Sequence, residues 1–70
     1  MNINKAVDKS YETMSFKEIA DAPVDALQGV SENDAKLLED AFNVRTVKDL
    51  ANLKYFKWAQ AIVALAETEE

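Results

Sequence analysis

The sequence has no cysteine and no histidine among its 70 residues. These absences exclude disulfide cross-links, cysteine or histidine catalysis and zinc-finger sites from this chain. Side-chain packing therefore has to supply the stability of the fold. We predict a chain that is not an enzyme and that uses no cofactor and no metal.

Glycine and proline occur once each, as Gly29 and Pro23. Small strand-rich domains need several turn glycines and prolines, whereas a helical chain needs few. The longest apolar stretch, residues 61–66, is far shorter than the ~20 residues that cross a membrane. The first residues also lack the pattern of a secretory signal. The sequence predicts an all-α fold, no membrane contact, no small-molecule substrate and a cytoplasmic location.

The chain is acidic, with 13 acidic residues, 8 basic residues and a net charge of -5. This charge opposes anionic partners at long range. Residues 45–57 reverse the sign, because they hold four basic residues and only one acidic residue. We call the four basic residues the basic island; they are Arg45, Lys48, Lys54 and Lys57. With the interleaved aromatic rings they form a candidate nucleic-acid contact, although rings in so small a domain are expected to be mostly buried.

Local signals place the helices along the chain. Capping hydroxyls followed by acidic residues occur at Ser15, Ser31 and Thr46, which is typical of helix starts. Gly29 and Asn43 are residue types that end helices. The predicted helical segments are 16–21, 23–28, 32–42, 47–53 and 55–67. We expect one domain over residues 15–67 with an acidic tail at 68–70.

Two apolar surfaces have no assigned packing partner. Residues 1–14 carry apolar side chains at helical spacing on a weakly helical segment, so we expect a loosely ordered or partly helical arm. That arm docks either on its own domain or in the groove of a partner. The last helix is apolar around most of its circumference, so it is either a central core helix or one covered by another chain. The candidate partner contacts are Ile3, Val7, Tyr11, Met14, Ile62 and Leu65.

The segment 26–31, the apolar positions of 35–38 and the phrase NVRTVKDLA at 43–51 together resemble a helix-hairpin-helix domain of the SAM-like type. The likeness covers residues 23–66 and is similar in plan to the C-terminal domain of the bacterial RNA polymerase alpha subunit. The resemblance implies a compact bundle of about five short helices. It also implies sequence-independent contact with DNA phosphates through the hairpin, whose residues here are Gly29, Val30, Ser31 and Lys36.

Three departures from that family decide the functional prediction. Ser31 stands where a second hairpin glycine is common, Glu32 and Asp34 put negative charge where a phosphate would approach, and no second Gly-rich hairpin precedes Tyr55. We therefore predict a small non-catalytic interaction module that binds a protein partner or itself through an apolar helical surface. The alternative is weak sequence-independent nucleic-acid binding through the hairpin and the basic island.

Overall fold

The computed structural model describes the backbone of residues 3–69 and the side chains of residues 5–69. Every regular element in that range is helical, which confirms the all-α prediction for the described part of the chain. The five α-helices are numbered α1 to α5 and the two 3-10 helices η1 and η2. In chain order they are α1 Ile3–Ala6, η1 Lys9–Tyr11, α2 Phe16–Ala20, η2 Val24–Ala26, α3 Glu32–Phe42, α4 Val47–Ala51 and α5 Lys54–Thr68.

Three of these helices begin at a capping box. At the start of α3 the Ser31 hydroxyl accepts the Asp34 N–H at 3.0 Å, and the Asp34 carboxylate accepts the Ser31 N–H at 3.2 Å. Ser15 and Thr46 make the same reciprocal pair of bonds for α2 and α4. The predicted starts at residues 16, 32 and 47 are confirmed, because a cap depends only on neighbours three residues apart.

The helix ends are also set locally. Asn43 ends α3 in the left-handed conformation, with φ 59°, as predicted. The fourth helix is shorter than predicted, because the chain leaves helical geometry at Asn52 and is extended at Leu53. Leu53 is the N-cap of α5, which starts at Lys54 and runs to Thr68.

Two isolated β-bridges tie the chain around η2. The first pairs Val7 with Leu27, and around it the Asp8 N–H donates to the Ala26 carbonyl at 2.8 Å. The second pairs Pro23 with Thr46 on the opposite side of η2. Backbone hydrogen bonds therefore hold the N-terminal segment and the loop before α4 to the same short turn.

The core is small and lies around η2. None of its side chains is aromatic, and none belongs to α3, α4 or α5. The buried residues are Val7, Ile19, Ala22, Val24, Ala26 and Val44. Valine, alanine and isoleucine side chains fill this small core, and close packing leaves no room in it for an aromatic ring.

The last helix lies outside this core. The described chain measures 44 × 30 × 19 Å and has a radius of gyration of 13.7 Å, above the ~11 Å of a compact domain of this length. None of the 15 residues of α5 is buried. The expectation that the rings of residues 55–58 are mostly buried is therefore wrong, and α5 is not a central core helix.

Candidate functional site

The candidate site is the apolar side of α5. At 100° per residue its large apolar side chains fall within one half of the helix circumference, and Lys57, Gln60 and Ala64 lie on the other half. Ile62 is 66% exposed and Leu65 is 69% exposed. We call this surface the α5 apolar face; its large residues are Tyr55, Phe56, Trp58, Ile62, Val63 and Leu65.

Aromatic rings join the α5 apolar face to the end of α3. The Phe42 and Tyr55 ring centroids are 6.1 Å apart with the planes tilted by 59°. The Tyr55 and Trp58 centroids are 5.8 Å apart and meet edge to face at 82°. Such pairs contribute about 0.5–1.5 kcal/mol beyond area burial. These ring contacts fix the start of α5 against the end of α3. Because Phe42 is 48% exposed, the cluster also presents ring surface to solvent.

Lys54 lies against the same rings. Its ammonium nitrogen is 5.2 Å from the centroid of the Tyr55 ring and 5.6 Å from that of Trp58. Both distances are within the ~6 Å of a cation–π contact. Lys54 therefore interacts with the α5 apolar face at its N-terminal end and gives that end a positive charge.

The other members of the basic island have different surroundings. The guanidinium of Arg45 is 3.6 Å from the Glu39 carboxylate in an exposed ion pair. Lys48 lines a shallow pocket of about 470 Å³ between α2 and α4, together with Lys17 and Asp21. The Glu39 carboxylate thus lowers the positive field that a phosphate would meet at Arg45, whereas the pocket beside Lys48 holds a second lysine as well as an aspartate.

The hairpin donors are already engaged within the chain. The Ser31 N–H donates to the Asp34 carboxylate at 3.2 Å, and the Val30 N–H donates to the Leu27 carbonyl at 3.1 Å. Gly29 has φ 95°, a conformation that favours glycine. Lys36 is exposed on α3. A carboxylate of the chain itself therefore occupies the place at the start of α3 where a phosphate would be bound.

The N-terminal segment is divided between core and surface. Val7 is 2% exposed and packs in the core, so the proposal of Val7 as a partner contact does not hold. Tyr11 is half-buried and Met14 is exposed. The side chain of Ile3 lies outside the described residues. The Gln28 N–H donates to the Ala6 carbonyl at 2.9 Å, so the backbone around Val7 is docked on its own domain.

The carboxylates with shifted acidity serve caps. The backbone N–H of Ser15 lowers the pKa of Glu18, and its hydroxyl adds to the shift. The backbone N–H groups of Arg45 and Thr46 lower the pKa of Asp49. Among the described residues no three acidic side chains are grouped to hold a metal ion. These pKa shifts are explained by the hydrogen bonds of the helix caps, so they do not identify a catalytic acid or base.

The sequence pattern identified Ile62 and Leu65 but not the full surface. It assigned the rings of Tyr55 and Trp58 to the core, and the structure leaves Tyr55 51% and Trp58 58% exposed. The sequence did contain a signal for this surface, the uninterrupted apolar half of α5. Whether that half is buried in the core or exposed depends on which elements pack against it, and spacing along the helix does not encode that.

Comparison with known proteins adds no relative. No family model, no curated protein and no solved structure matches this chain. Within the described residues, no helix has the length and hydropathy needed to cross a membrane. The functional conclusion therefore rests on the geometry of the site.

Proposed function

We propose that this chain is a small non-catalytic interaction module that binds a protein partner or a second copy through the α5 apolar face. The observation that carries the proposal is that six large apolar residues on one side of α5 are 43–69% exposed. Together they leave roughly 600–800 Å² of surface in water, at or above the roughly 300–600 Å² of the largest apolar patch on a typical monomer.

The weak tertiary support of α5 favours the same conclusion. An isolated helix of about 15 residues is marginal in water even for favourable sequences, because nucleation is costly. Here α5 has no side-chain cap at Leu53 and no buried residue, and its contacts with the rest of the domain include α4 and the Phe42 ring. A binding partner on the apolar face would bury that surface and stabilise the helix in a single event.

The helix-hairpin-helix assignment over residues 23–66 belongs to this proposal as its scaffold. The order of a short turn at η2, a positive φ at Gly29 and the capped helix α3 supports it. In this chain the scaffold would present α5 to a protein, because the capping carboxylate of Asp34 competes with an external phosphate at the hairpin.

Site-specific photo-crosslinking tests the proposal. A benzophenone amino acid at Leu65 in the full chain, expressed in its native host, is expected to give covalent protein adducts after irradiation. The matched control carries the same amino acid at Ala64, one residue away on the polar side of α5. Adducts at residue 65 and none at residue 64 support the proposal, whereas equal adducts or none at either position contradict it.

A titration with a short DNA duplex tests the alternative. We expect no saturable backbone amide shifts at residues 29–36 or 45–57, at low or moderate salt. Saturable shifts that disappear with salt, and that are lost in the Arg45→Glu/Lys48→Glu variant, would favour the nucleic-acid function over the one proposed.

A further inference from the structure

We infer that the occupant of the α5 apolar face is a second copy of this chain, with the two α5 helices packed antiparallel. The inference rests on the proposed function and specifies its partner. Two observations carry it: the distribution of charge along α5, and the area that its apolar face leaves exposed.

The charge on α5 is divided between its two ends. The first turn carries Lys54 at one edge of the apolar face and Lys57 on the polar half, and the C-terminal end carries Glu67 at the other edge and Glu69 just after the helix. Lys54 and Glu67 are thirteen positions apart, which is about 20 Å along the axis. A parallel pair would set like charges together at both ends, whereas an antiparallel pair sets the basic end of one copy beside the acidic end of the other.

The apolar residues repeat in a way that suits an antiparallel pair. Tyr55, Trp58, Ile62 and Leu65 follow one another at spacings of three, four and three, the spacing of a helix-packing seam. When two such helices pair antiparallel around Gln60, Trp58 of each copy is level with Ile62 of the other. Tyr55 is then level with Leu65, so all four large side chains meet a large apolar side chain.

The area is that of a small specific dimer. The four seam residues expose roughly 500 Å² of the 600–800 Å² of the face, so a pair buries about 1,000 Å² in total, the lower limit for a specific interface. In a two-fold symmetric dimer the same surface of each copy forms the interface, so the α5 apolar face of one copy would pack against the α5 apolar face of the other. Both ends of α5 remain exposed, so the charged residues at the rim keep their contact with water.

Sedimentation equilibrium on the full chain gives the first test. We expect a reversible monomer–dimer equilibrium and a blue shift of the fluorescence of Trp58, the only tryptophan, as the dimer forms. Ile62→Glu/Leu65→Glu is expected to weaken association roughly hundredfold. The matched control Gln60→Glu/Ala64→Glu adds the same charge on the polar side of α5 and is expected to weaken it less than about threefold.

Charge reversal at the acidic end tests the orientation. The Glu67→Lys/Glu69→Lys variant makes the net charge of -5 less negative by four units, so general repulsion between copies falls. An antiparallel dimer is nevertheless expected to weaken about three- to tenfold, because both ends of the pair become basic. A parallel dimer would tighten or stay unchanged. Lysines at the end of a helix also favour its dipole, so loss of the helix cannot explain weaker binding.

A second reversal provides the rescue. Adding Lys54→Glu/Lys57→Glu to that variant restores the net charge and, through Lys54→Glu at the edge of the apolar face, exchanges the signs of the two ends. Antiparallel association is therefore expected to return to within about threefold of the original. A dimer that tightens on the first reversal, or that the second does not restore, overturns the antiparallel inference.

The outcomes separate this inference from the proposed function. One outcome is a chain that stays monomeric at about 1 mM, far above the micromolar range of specific complexes, while residue 65 crosslinks to a different protein. That outcome contradicts the inference of a second copy and still supports the proposed interaction module. A dimer that Ile62→Glu/Leu65→Glu does not weaken places the interface elsewhere and overturns this inference, and the proposed function fails with it only if residue 65 also gives no adducts.

Discussion

Val24 and Val63 are the same residue type in one short chain, yet Val24 is 1% exposed and Val63 is 55% exposed. Val24 lies in η2, where the two β-bridges bring distant segments together. Val63 lies in the second half of α5, a helix with no buried residue. The difference shows that apolar side chains around η2 are enclosed, whereas those along α5 remain exposed.

The two regions also differ in how their helices start. The helices α2, α3 and α4 each have a capping box, while α5 begins at Leu53 without a side-chain cap. Caps fix the ends of helices that are too short to persist alone. The start of α5 is fixed instead by the Phe42 and Tyr55 rings, a tertiary contact. The helices around η2 thus start at local signals, whereas the start of α5 depends on a tertiary contact.

The largest expected effect separates the two valines directly. Val24→Asp buries an unpaired carboxylate. The free-energy cost of that burial exceeds the roughly 4–10 kcal/mol of stability of a chain this size, so the variant is expected to be unfolded. The matched Val63→Asp variant is expected to lose less than about 1 kcal/mol. Far-UV circular dichroism at 25 °C and thermal unfolding of dilute protein measure both. Equal losses at the two positions would remove the distinction between the regions.

The next effect concerns the hairpin. Gly29→Ala places a side chain at φ 95° and is expected to cost about 1–2 kcal/mol of stability through backbone strain alone, since no atom stands within 4 Å of the added methyl group.

Ala64→Gly in α5 is the comparison for Gly29→Ala. It is expected to lower the helix signal while the urea midpoint of the core region stays unchanged, because α5 contributes no buried residue. A midpoint that falls equally in both variants would show that α5 and the core unfold together.

A smaller effect is expected from the caps. Ser31→Ala removes the hydroxyl that accepts the Asp34 N–H and is expected to cost about 1 kcal/mol. Thr68→Ala removes a hydroxyl that donates to the Leu65 carbonyl at 3.0 Å on the exposed end of α5, and we expect a change within about 0.5 kcal/mol. Urea unfolding curves at neutral pH distinguish the two. A greater loss at Thr68 would contradict the account of α5 as the less integrated region.

The smallest effect is a dependence on acid. The pKa of Glu18 lies below its ordinary 4.5 and the pKa of Asp49 below its ordinary 3.8, through hydrogen bonds made only in the folded chain. Their stabilisation is therefore complete above these ordinary values and is lost as pH falls through the lower folded values. The urea midpoint should fall as pH is lowered through this range, and the fall should be smaller in Asp49→Asn. An equal fall in that variant would assign the acid dependence to other groups.

The positions of the helices could be predicted from the sequence because their signals are local. The starts after Ser15, Ser31 and Thr46 and the end at Asn43 each depend on residues within one helical turn. The breadth of the apolar side of α5 was also evident from spacing. Ile62 and Leu65 were accordingly predicted as contacts, and the structure leaves both on the surface.

Which apolar residues are buried was decided by the tertiary structure. Val7 and Tyr55 both follow helical apolar patterns, yet Val7 is enclosed because its backbone pairs with Leu27, twenty residues away, and Tyr55 is half exposed. Burial depends on which distant segments meet, and no local pattern encodes that meeting. The sequence by itself determined helices, caps and the apolar half of α5. The bridges around η2 decided that a core of small side chains closes without α5 and leaves its apolar half exposed.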